Sequence, residues 1–215
     1  MQKRGKYIIF EGGEGCGKST QIKLLEKYLT DKNILVKSFR EPGGTHEAEA
    51  IRALFKDVAL EFSPLAQLYL MQTARTELFQ KEIIPNIEKG VHCLVDRSFY
   101  SSLTYQGYGD GIELELIEKL NKESTFGLIP DLAIFIDIYA SRGLKKEIEK
   151  DNAFSEKDLG YHLRVNEGYR KIAKQCPEGI IMIKYQENQI QAMQDEIRRI
   201  VQERLNLEGI VDKDF

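Results

Sequence analysis

Short apolar runs alternate with longer amphipathic stretches along this chain. Five runs have the length and composition of buried strands: Tyr7–Phe10, Val36–Phe39, Val91–Val95, Leu132–Ile136 and Ile180–Ile183. Each run is followed by a longer segment with helical spacing, such as Gln21–Tyr28 or Ala66–Ile84. Strands that alternate with amphipathic helices are typical of βαβ units. The pattern therefore predicts an α/β fold with a central parallel five-stranded sheet and helices on both faces.

Two helical stripes predict core positions, and two polar segments predict mobility. The stripes are Leu65, Leu68, Tyr69 and Met71 in one helix and Ile197, Ile200, Val201 and Leu205 in another. Residues 149–159 are polar and lack convincing periodicity, which predicts a mobile loop, and we expect residues 208–215 to form a frayed tail. We therefore expect a single domain over residues 1–207, a size that buries a sizeable core.

Composition and charge exclude some classes of partner. The formal net charge is −3, whereas a general nucleic-acid binder normally carries a basic excess. The three cysteines are scattered and read as reduced, cytosolic thiols. The apolar stretch near the N-terminus stops at Glu11, too short for a signal peptide, and no segment approaches the ~20 apolar residues of a membrane span. We expect a cytoplasmic protein with no nucleic-acid or membrane partner.

One contiguous motif carries recognisable chemistry. It matches GxxxxGK[ST], the phosphate-binding P-loop, and lies between a predicted strand and a predicted helix: Gly12, Gly13, Glu14, Gly15, Cys16, Gly17, Lys18 and Ser19, followed by Thr20. Glycines let backbone N–H groups surround phosphate oxygens, and the following helix adds its positive end. We expect Lys18 to reach the β- and γ-phosphates of a nucleoside triphosphate and Ser19 to ligate Mg²⁺. A glycine-rich turn without this role is the alternative.

A P-loop predicts nucleotide binding but not the reaction that follows. A GTPase switch would carry an NKxD element, and the nearest string, Asn121–Ser124, ends in serine. Arg97 follows a central strand, where open α/β sheets bind ligands, and its planar fork can hold an acceptor phosphate. Asp96 is placed like an acidic residue that helps to hold Mg²⁺, although a turn carboxylate would look the same. A kinase is therefore favoured over a switch or motor.

Two further strings give a family resemblance. Arg40–Thr45 reads REPGGT, and residues 96–109 read DRSFYSSLTYQGYG. Together with the P-loop, they closely resemble bacterial thymidylate kinases, in register from about Tyr7 to about Arg199. The resemblance implies a P-loop NTPase fold with a short lid at about 149–159. It also implies transfer of the γ-phosphate of ATP to dTMP with Mg²⁺, and a homodimer formed through long helices such as Ala66–Ile84.

The resemblance also implies roles for individual residues. Glu14 lies near both metal and acceptor, and Arg40 and Arg52 lie near the monophosphate. The alternative for these two arginines is surface pairing with nearby glutamates. Base and sugar contacts fall on Arg75, Ser102 and Gln106, with Tyr105 beneath the deoxyribose. A core or groove tyrosine is the plain alternative for Tyr105.

Two departures from the family pattern keep other functions open. Met71 stands where these enzymes usually stack a phenylalanine on thymine, so a kinase for another monophosphate, such as dUMP, remains an alternative. Gly15 usually accompanies a lid arginine, yet Asn152–Ser155 contains none. Our hypothesis is that lysines cover the γ-phosphate instead: Lys146, which aligns with a family arginine, or Lys150 or Lys157. If these lysines only form a solvated helix face, a weakly catalytic NTP-binding regulator is the alternative.

Overall fold

A central parallel sheet organises the computed structural model of this chain, which describes residues 4–57, 59–148 and 157–206. The strands are β1 (Tyr7–Gly12), β2 (Val36–Arg40), β3 (His92–Asp96), β4 (Leu132–Asp137) and β5 (Ile180–Lys184). Every pairing is parallel, and the strand order is β2-β3-β1-β4-β5. The five predicted strands and the predicted α/β fold class are thus confirmed.

Helices connect the strands. They are α1 (Lys18–Asp31), α2 (His46–Lys56), α3 (Pro64–Leu78), α4 (Ile84–Glu88), α5 (Phe99–Ser102), α6 (Leu114–Ser124), α7 (Ala140–Ile148), α8 (Leu159–Gln175) and α9 (Ile190–Leu205). Within the described ranges, two π-helical segments interrupt this pattern. Phe79–Ile83 joins α3 to α4, and Leu103–Gly109 continues α5. The predicted helix Ala66–Ile84 therefore belongs to one longer helical run that changes its winding.

The alternating side chains of β1 divide the core into two layers. Ile8 and Phe10 join the apolar cluster that contains Leu25 of α1 and Ile197 of α9. Tyr7 and Ile9 point to the opposite face, because successive residues of a strand alternate. They join a second cluster that includes residues of α3 and α8. Helices therefore cover both faces of the sheet, as predicted.

The two predicted core stripes have different outcomes. All four residues of the α9 stripe are buried, so that prediction is confirmed. Of the predicted α3 stripe only Leu68 is fully buried, whereas Leu65 and Tyr69 are 42% and 49% exposed, so for these two the core prediction is wrong. They stand four residues apart on one side of the helix, whereas Leu68 packs in the second apolar cluster, with Tyr7 and Ile9 of β1. The apolar residues of α3 thus occupy more than one face.

The carboxyl ends of the strands bring distant parts of the chain to one edge. The P-loop follows β1, Arg40 ends β2 and Asp96 ends β3. Since parallel strands end at the same edge of a sheet, these residues share a crevice there.

In the part of the chain that the structure describes, no helix combines the length and apolar character needed to cross a bilayer.

The predicted lid and tail fall largely on residues outside the described ranges. Residues 149–156 of the predicted lid and the whole predicted tail, 208–215, lie outside the described ranges. The end of the predicted lid is described: α8 begins at Leu159, and the Asp158 carboxylate accepts a hydrogen bond from the Tyr161 amide at 2.7 Å. Asp158 therefore caps α8 at the point where the predicted lid returns to the domain.

Candidate functional site

The loop between β1 and α1 turns at glycines and leads into an uncapped helix. Gly15 and Gly17 have φ angles of 65° and 92°, a region that glycine enters without strain. α1 begins at Lys18; among the described residues no side chain caps its N-terminus, and its first turn holds no acidic residue. The positive helix end is therefore left for an anion.

The ammonium group of Lys18 lies inside this loop. Its Nζ donates hydrogen bonds to the carbonyl oxygens of Gly12 and Gly13, both at 3.1 Å, and the side chain is buried. The attraction between unlike charges is stronger where little water intervenes. The lysine charge and the positive helix end therefore act on the same small volume.

The two residues expected to hold Mg²⁺ are in direct contact. The Ser19 hydroxyl, in the first turn of α1, donates a hydrogen bond to the Asp96 carboxylate at the end of β3. The described residues contain no group of three or more His, Cys, Asp or Glu side chains arranged for a metal. A hydroxyl beside one carboxylate fits Mg²⁺, since this ion commonly takes one or two protein oxygens and completes its shell with water and phosphate oxygens.

Arg97, the residue after β3, connects the P-loop to the helix that follows. Its Nη1 lies 3.2 Å from the carbonyl oxygen of Gly12, and its Nη2 lies 2.8 Å from Oε1 of Glu14. The guanidinium carbon stands 4.9 Å from the ring centroid of Tyr105, a cation–π contact. Burial disfavours the charge, but Glu14 and its other neighbours outweigh burial, so the pKa of Arg97 is raised. The guanidinium is therefore held in one orientation.

The Glu14 carboxylate contacts two neighbouring residues of the site. Its Oε1 accepts hydrogen bonds from Arg97 and, at 2.7 Å, from the Tyr105 hydroxyl. Burial raises the pKa of Glu14, but Arg97 and Lys18 overcome that effect and lower it to about 2. Within the described ranges, no hydrogen bond links Glu14 to the Ser19–Asp96 pair. Glu14 thus stays ionised at neutral pH and balances the charge of Arg97.

A buried acid that the motifs did not reveal holds the turn after Arg97. Glu11, in β1, accepts hydrogen bonds from the backbone amides of Ser98 and Ser101 at 2.7 and 3.1 Å. The Tyr169 hydroxyl donates to its Oε2 at 2.9 Å. Burial raises the pKa of Glu11. The available sequence signal was an acidic residue inside an otherwise apolar strand, where unpaired acids are rare.

A second guanidinium, that of Arg75, forms part of the cavity wall. Its Nε donates to Oε2 of Glu41 at 2.7 Å, and its Nη2 donates to the Ser102 hydroxyl at 3.0 Å. Arg75 and Glu41 are both buried, and burial raises the pKa of Glu41 in spite of the arginine. Glu41 belongs to the REPGGT string. The string identified this segment as part of the site, but it did not predict the contact between Glu41 and Arg75.

Arg40 and Arg52 have different surroundings. Nη2 of Arg40 forms an exposed ion pair with Glu49 at 2.9 Å, as the surface alternative predicted. Nη1 of Arg52 donates to the carbonyl oxygen of Pro42 at 3.0 Å, whereas its buried Nε has no hydrogen-bond partner among the described residues. A buried donor without an acceptor is destabilising. Arg52 is therefore better placed than Arg40 to receive an anion.

These groups open on one cavity of about 480 Å³. The predicted site residues that line it are Glu14, Gly15, Cys16, Gly17, Lys18, Ser19, Thr20, Arg40, Arg52, Met71, Arg75, Asp96, Arg97, Ser102, Tyr105 and Gln106. Residues of the lining that were not predicted are Glu41, Pro42, Lys56, Ser98 and Ser101. Gly12 and Gly13 lie apart from this lining, in a small pocket that Asn166 of α8 also lines.

The lysines proposed to cover the γ-phosphate are only partly described. Lys146 lies in α7, but its side chain is outside the described part, as is all of Lys150. Nζ of Lys157 lies 3.1 Å from Oδ1 of Asp110 and 5.1 Å from the ring centroid of Tyr161. Lys157 is therefore held at the end of the second π-helical segment.

Comparisons with known proteins agree with this geometry. The family model for thymidylate kinase matches residues 10–197. A thymidylate kinase of Thermoanaerobacter sp. (strain X514) is 37% identical over 181 residues, 84% of this chain and 89% of the relative. The one from Carboxydothermus hydrogenoformans is 40% identical over 173 residues, covering 80% and 85%. The crystal structure of thymidylate kinase from Ehrlichia chaffeensis has a TM-score of 0.76 at 30% identity and covers 93% of this chain and 100% of that chain. The chain belongs to the thymidylate kinase family.

Proposed function

We propose that this enzyme transfers the γ-phosphate of ATP to dTMP, giving dTDP and ADP for dTTP biosynthesis. One observation carries the proposal: the P-loop and the buried Arg75 line the same cavity, where Arg97 also contacts the loop. A phosphotransferase needs a donor site and an acceptor site in one crevice, with cations that act on both phosphates. The family supplies the reaction class, a nucleoside monophosphate kinase.

On the donor side, the backbone of residues 14–20 and the Lys18 ammonium hold the phosphates of ATP, while the carbonyl oxygens of Gly12 and Gly13 hold the ammonium group. Ser19 and Asp96 would hold Mg²⁺, which when bound neutralises charge on the β- and γ-phosphates. Lys18 already lies within the loop, so little reorganisation is needed when the nucleotide binds.

On the acceptor side, Arg97 grips the dTMP phosphate, assisted by Arg52 and, at the rim, Arg40. The pair with Glu14 fixes the Arg97 guanidinium before the substrate arrives. Catalysis then consists of positioning two phosphates and stabilising the charge that develops between them, without a covalent intermediate. The Nε of Arg52 has no hydrogen-bond partner among the described residues, which supports a role for Arg52 in binding this phosphate.

The base and sugar occupy the Arg75 end of the cavity. Arg75, Ser102 and Gln106 provide polar contacts, Met71 packs against the ring, and Tyr105 lies beneath the deoxyribose. Discrimination of thymine from uracil depends on one methyl group and is on the order of 10–200-fold. Because Met71 fixes the base less firmly than an aromatic ring would, dUMP is the acceptor to compare first.

For the transferring phosphate itself, we propose that Lys146, from α7, supplies the charge that the family resemblance leads us to expect from a lid arginine. Lysine is a point charge and stabilises a transferring phosphate less than a bidentate arginine does. The alternative of a weakly catalytic NTP-binding regulator depends only on this difference between lysine and arginine, since the remaining groups proposed for the donor and the acceptor line one cavity.

The test is ADP production with ATP and Mg²⁺ against dTMP, dUMP, dCMP, AMP, GMP and UMP. A clear preference for dTMP supports the proposal. Turnover of a different monophosphate alone would change the substrate, and tight ATP binding without acceptor-dependent ADP would favour a regulator. Stopping the reaction with EDTA and restoring it with added Mg²⁺ tests the metal assignment.

We propose that two chains form a homodimer through the outer face of α3. Leu65 and Tyr69 support this surface, because both are large, apolar and about half exposed, four residues apart. Light scattering should give twice the chain mass of 24.7 kDa, and Tyr69→Lys should reduce the measured mass towards that of one chain.

We also propose that the reaction takes place in the cytoplasm. The free thiols of Cys16, Cys93 and Cys176 support this location.

A further inference from the structure

The Arg75 guanidinium is held on several sides by buried protein groups. An arginine side chain has five N–H donors and no acceptor. Nε donates to Glu41, Nη2 donates to Ser102, and Nη1 donates both to Gln72 Oε1 at 2.9 Å and to Asn121 Oδ1 at 2.8 Å. Four of the five donors are thus occupied. Among the described residues, the fifth, on Nη2, has no protein acceptor, and Arg75 lines the cavity.

Behind Arg75, a polar cluster fixes the acceptors of Nη1. Gln72 Nε2 donates to Asn121 Oδ1 at 2.8 Å, and the Ser124 hydroxyl donates to Gln72 Oε1 at 2.6 Å. Asn121 Nδ2 donates to the carbonyl oxygen of Phe99 at 3.1 Å. These bonds orient both amide groups with their oxygens toward Arg75. Gln72, Asn121 and Ser124 are all buried, so water does not compete for these positions.

The direction of the fifth N–H therefore depends on residues that do not reach the cavity. Neither Gln72 nor Asn121 is part of the cavity lining, whereas Arg75 and Ser102 are. The neighbouring lining residue, Met71, is a flexible thioether that does not fix the plane of a bound ring. Hydrogen bonds in the plane of the base must then provide the orientation, and Arg75 can provide them only if its guanidinium cannot turn.

A fixed donor distinguishes two kinds of pyrimidine. Thymine carries a carbonyl oxygen at ring position 4, which accepts a hydrogen bond, whereas cytosine carries an amino group there, which donates. When two hydrogen-bond donors face each other in a buried site, both remain unpaired. Such a mismatch gives strong discrimination against the base that carries the second donor. If the guanidinium could rotate, it could avoid the cytosine amino group and this discrimination would weaken.

We propose that Gln72 and Asn121 are specificity-determining positioning residues, which lock Arg75 as a hydrogen-bond donor so that the site accepts 4-keto and rejects 4-amino pyrimidines. The inference rests on the proposed function and adds to it the residues that set base preference. Gln72 and Asn121 act through Arg75 and need not touch the substrate. A purely structural role, in which they only join α3 to α6, would leave base preference unchanged.

The decisive variants are Asn121→Leu and Asn121→Asp. Leucine has nearly the shape of asparagine but removes the two hydrogen bonds that Asn121 Oδ1 accepts from Arg75 and Gln72. Aspartate keeps carboxylate oxygens that can accept both bonds. In Asn121→Leu we expect KM for dTMP to rise at least about tenfold, kcat at saturating dTMP to change less than about threefold, and KM for ATP to stay unchanged. The ratio of kcat/KM for dTMP to that for dCMP should fall at least about tenfold, and Asn121→Asp should restore most of it.

Asn86→Leu is the matched control. Asn86 is a buried asparagine whose side chain bonds to Glu82 in the preceding turn, away from the cavity. This variant should lose stability without a change in the dTMP to dCMP ratio. If Asn121→Leu does not fold, as judged by circular dichroism and its Tm, Gln72→Met provides the test, because it removes the other acceptor of Nη1.

The outcomes separate this inference from the proposed function. A wild-type enzyme that does not phosphorylate dTMP in preference to dCMP overturns the proposed function and the inference with it. A wild-type enzyme with that preference, together with folded variants that keep the wild-type ratio, overturns the inference alone. A uniform fall of kcat with both substrates at an unchanged ratio also overturns it, since that result indicates a structural role only.

Discussion

Nη2 of Arg97 lies 2.8 Å from Oε1 of Glu14, so an ion pair joins the residue after β3 to the P-loop. Both side chains are about four-fifths buried. The donor loop and the proposed phosphate-gripping arginine are therefore linked before either substrate binds. The Tyr105 hydroxyl is bonded to the same oxygen and extends the link to the part of the cavity where we propose that the sugar binds.

The first prediction concerns the guanidinium itself. Arg97→Lys keeps a positive charge but loses the planar fork, and Arg97→Ala loses both. We expect kcat/KM for dTMP to fall roughly 10²–10³-fold in the lysine variant and further in the alanine variant, because bidentate contact with the phosphate is lost. A coupled assay of ADP formation measures this. Arg199→Ala, which breaks an exposed pair with Glu203 on α9, should leave activity unchanged. Wild-type kinetics in Arg97→Ala would refute the assigned grip.

The second prediction follows from the low pKa of Glu14. Its pKa in the folded state is about 2, below the ordinary 4.5, so its ionised form stabilises the fold at pH values above 4.5. That contribution is lost as pH falls from about 4.5 towards 2. Glu14→Gln should therefore be less stable than the wild type at pH 6, on the order of 2 kcal/mol, and the gap should narrow below pH 4.

Urea unfolding at pH 6, 4 and 3 measures this gap. Glu203→Gln is the control, since Glu203 is exposed and its pair with Arg199 stabilises little. A difference between wild type and Glu14→Gln that does not change with pH would contradict the prediction.

The third prediction separates the ring of Tyr105 from its hydroxyl. Tyr105→Phe removes the 2.7 Å hydrogen bond to Glu14 but keeps the aromatic face, whereas Tyr105→Ala removes both. If the ring excludes a 2′-hydroxyl, Tyr105→Ala should lower the preference for dTMP over ribothymidine monophosphate about tenfold, and Tyr105→Phe should retain it. Steady-state kinetics with the two acceptors decide the matter. An unchanged preference in Tyr105→Ala would leave this residue as a groove tyrosine.

The fourth prediction addresses neutralisation of the transferring phosphate. Single alanine replacements at Lys146, Lys150 and Lys157 should include at least one that lowers kcat about tenfold or more, with a smaller effect on KM for dTMP. Lys27→Ala is the control, because Lys27 forms an exposed pair with Asp31 on α1. If none of the three lowers kcat, the lid-lysine hypothesis is wrong. For Lys157, Asp110→Asn tests whether any effect comes through their ion pair.

Features encoded in contiguous residues could be predicted from the sequence. The P-loop is a single run, and its glycines, lysine and serine have roles set by local backbone geometry. The five strands were identifiable because buried parallel strands are continuous apolar runs between helical segments. The α9 stripe was buried as predicted, since its apolar residues occupy one face.

Features that depend on which elements pack together could not be predicted in this way. Gln72 and Asn121 are 49 residues apart, and their contact with Arg75 exists because α6 packs against α3. Hydrophobic periodicity shows that residues of α3 are apolar but not which neighbour covers each face, so Leu65 and Tyr69 were wrongly assigned to the core. Local sequence thus specifies the P-loop and the strands of the sheet, whereas the fixed orientation of Arg75 arises from the packing of α6 against α3.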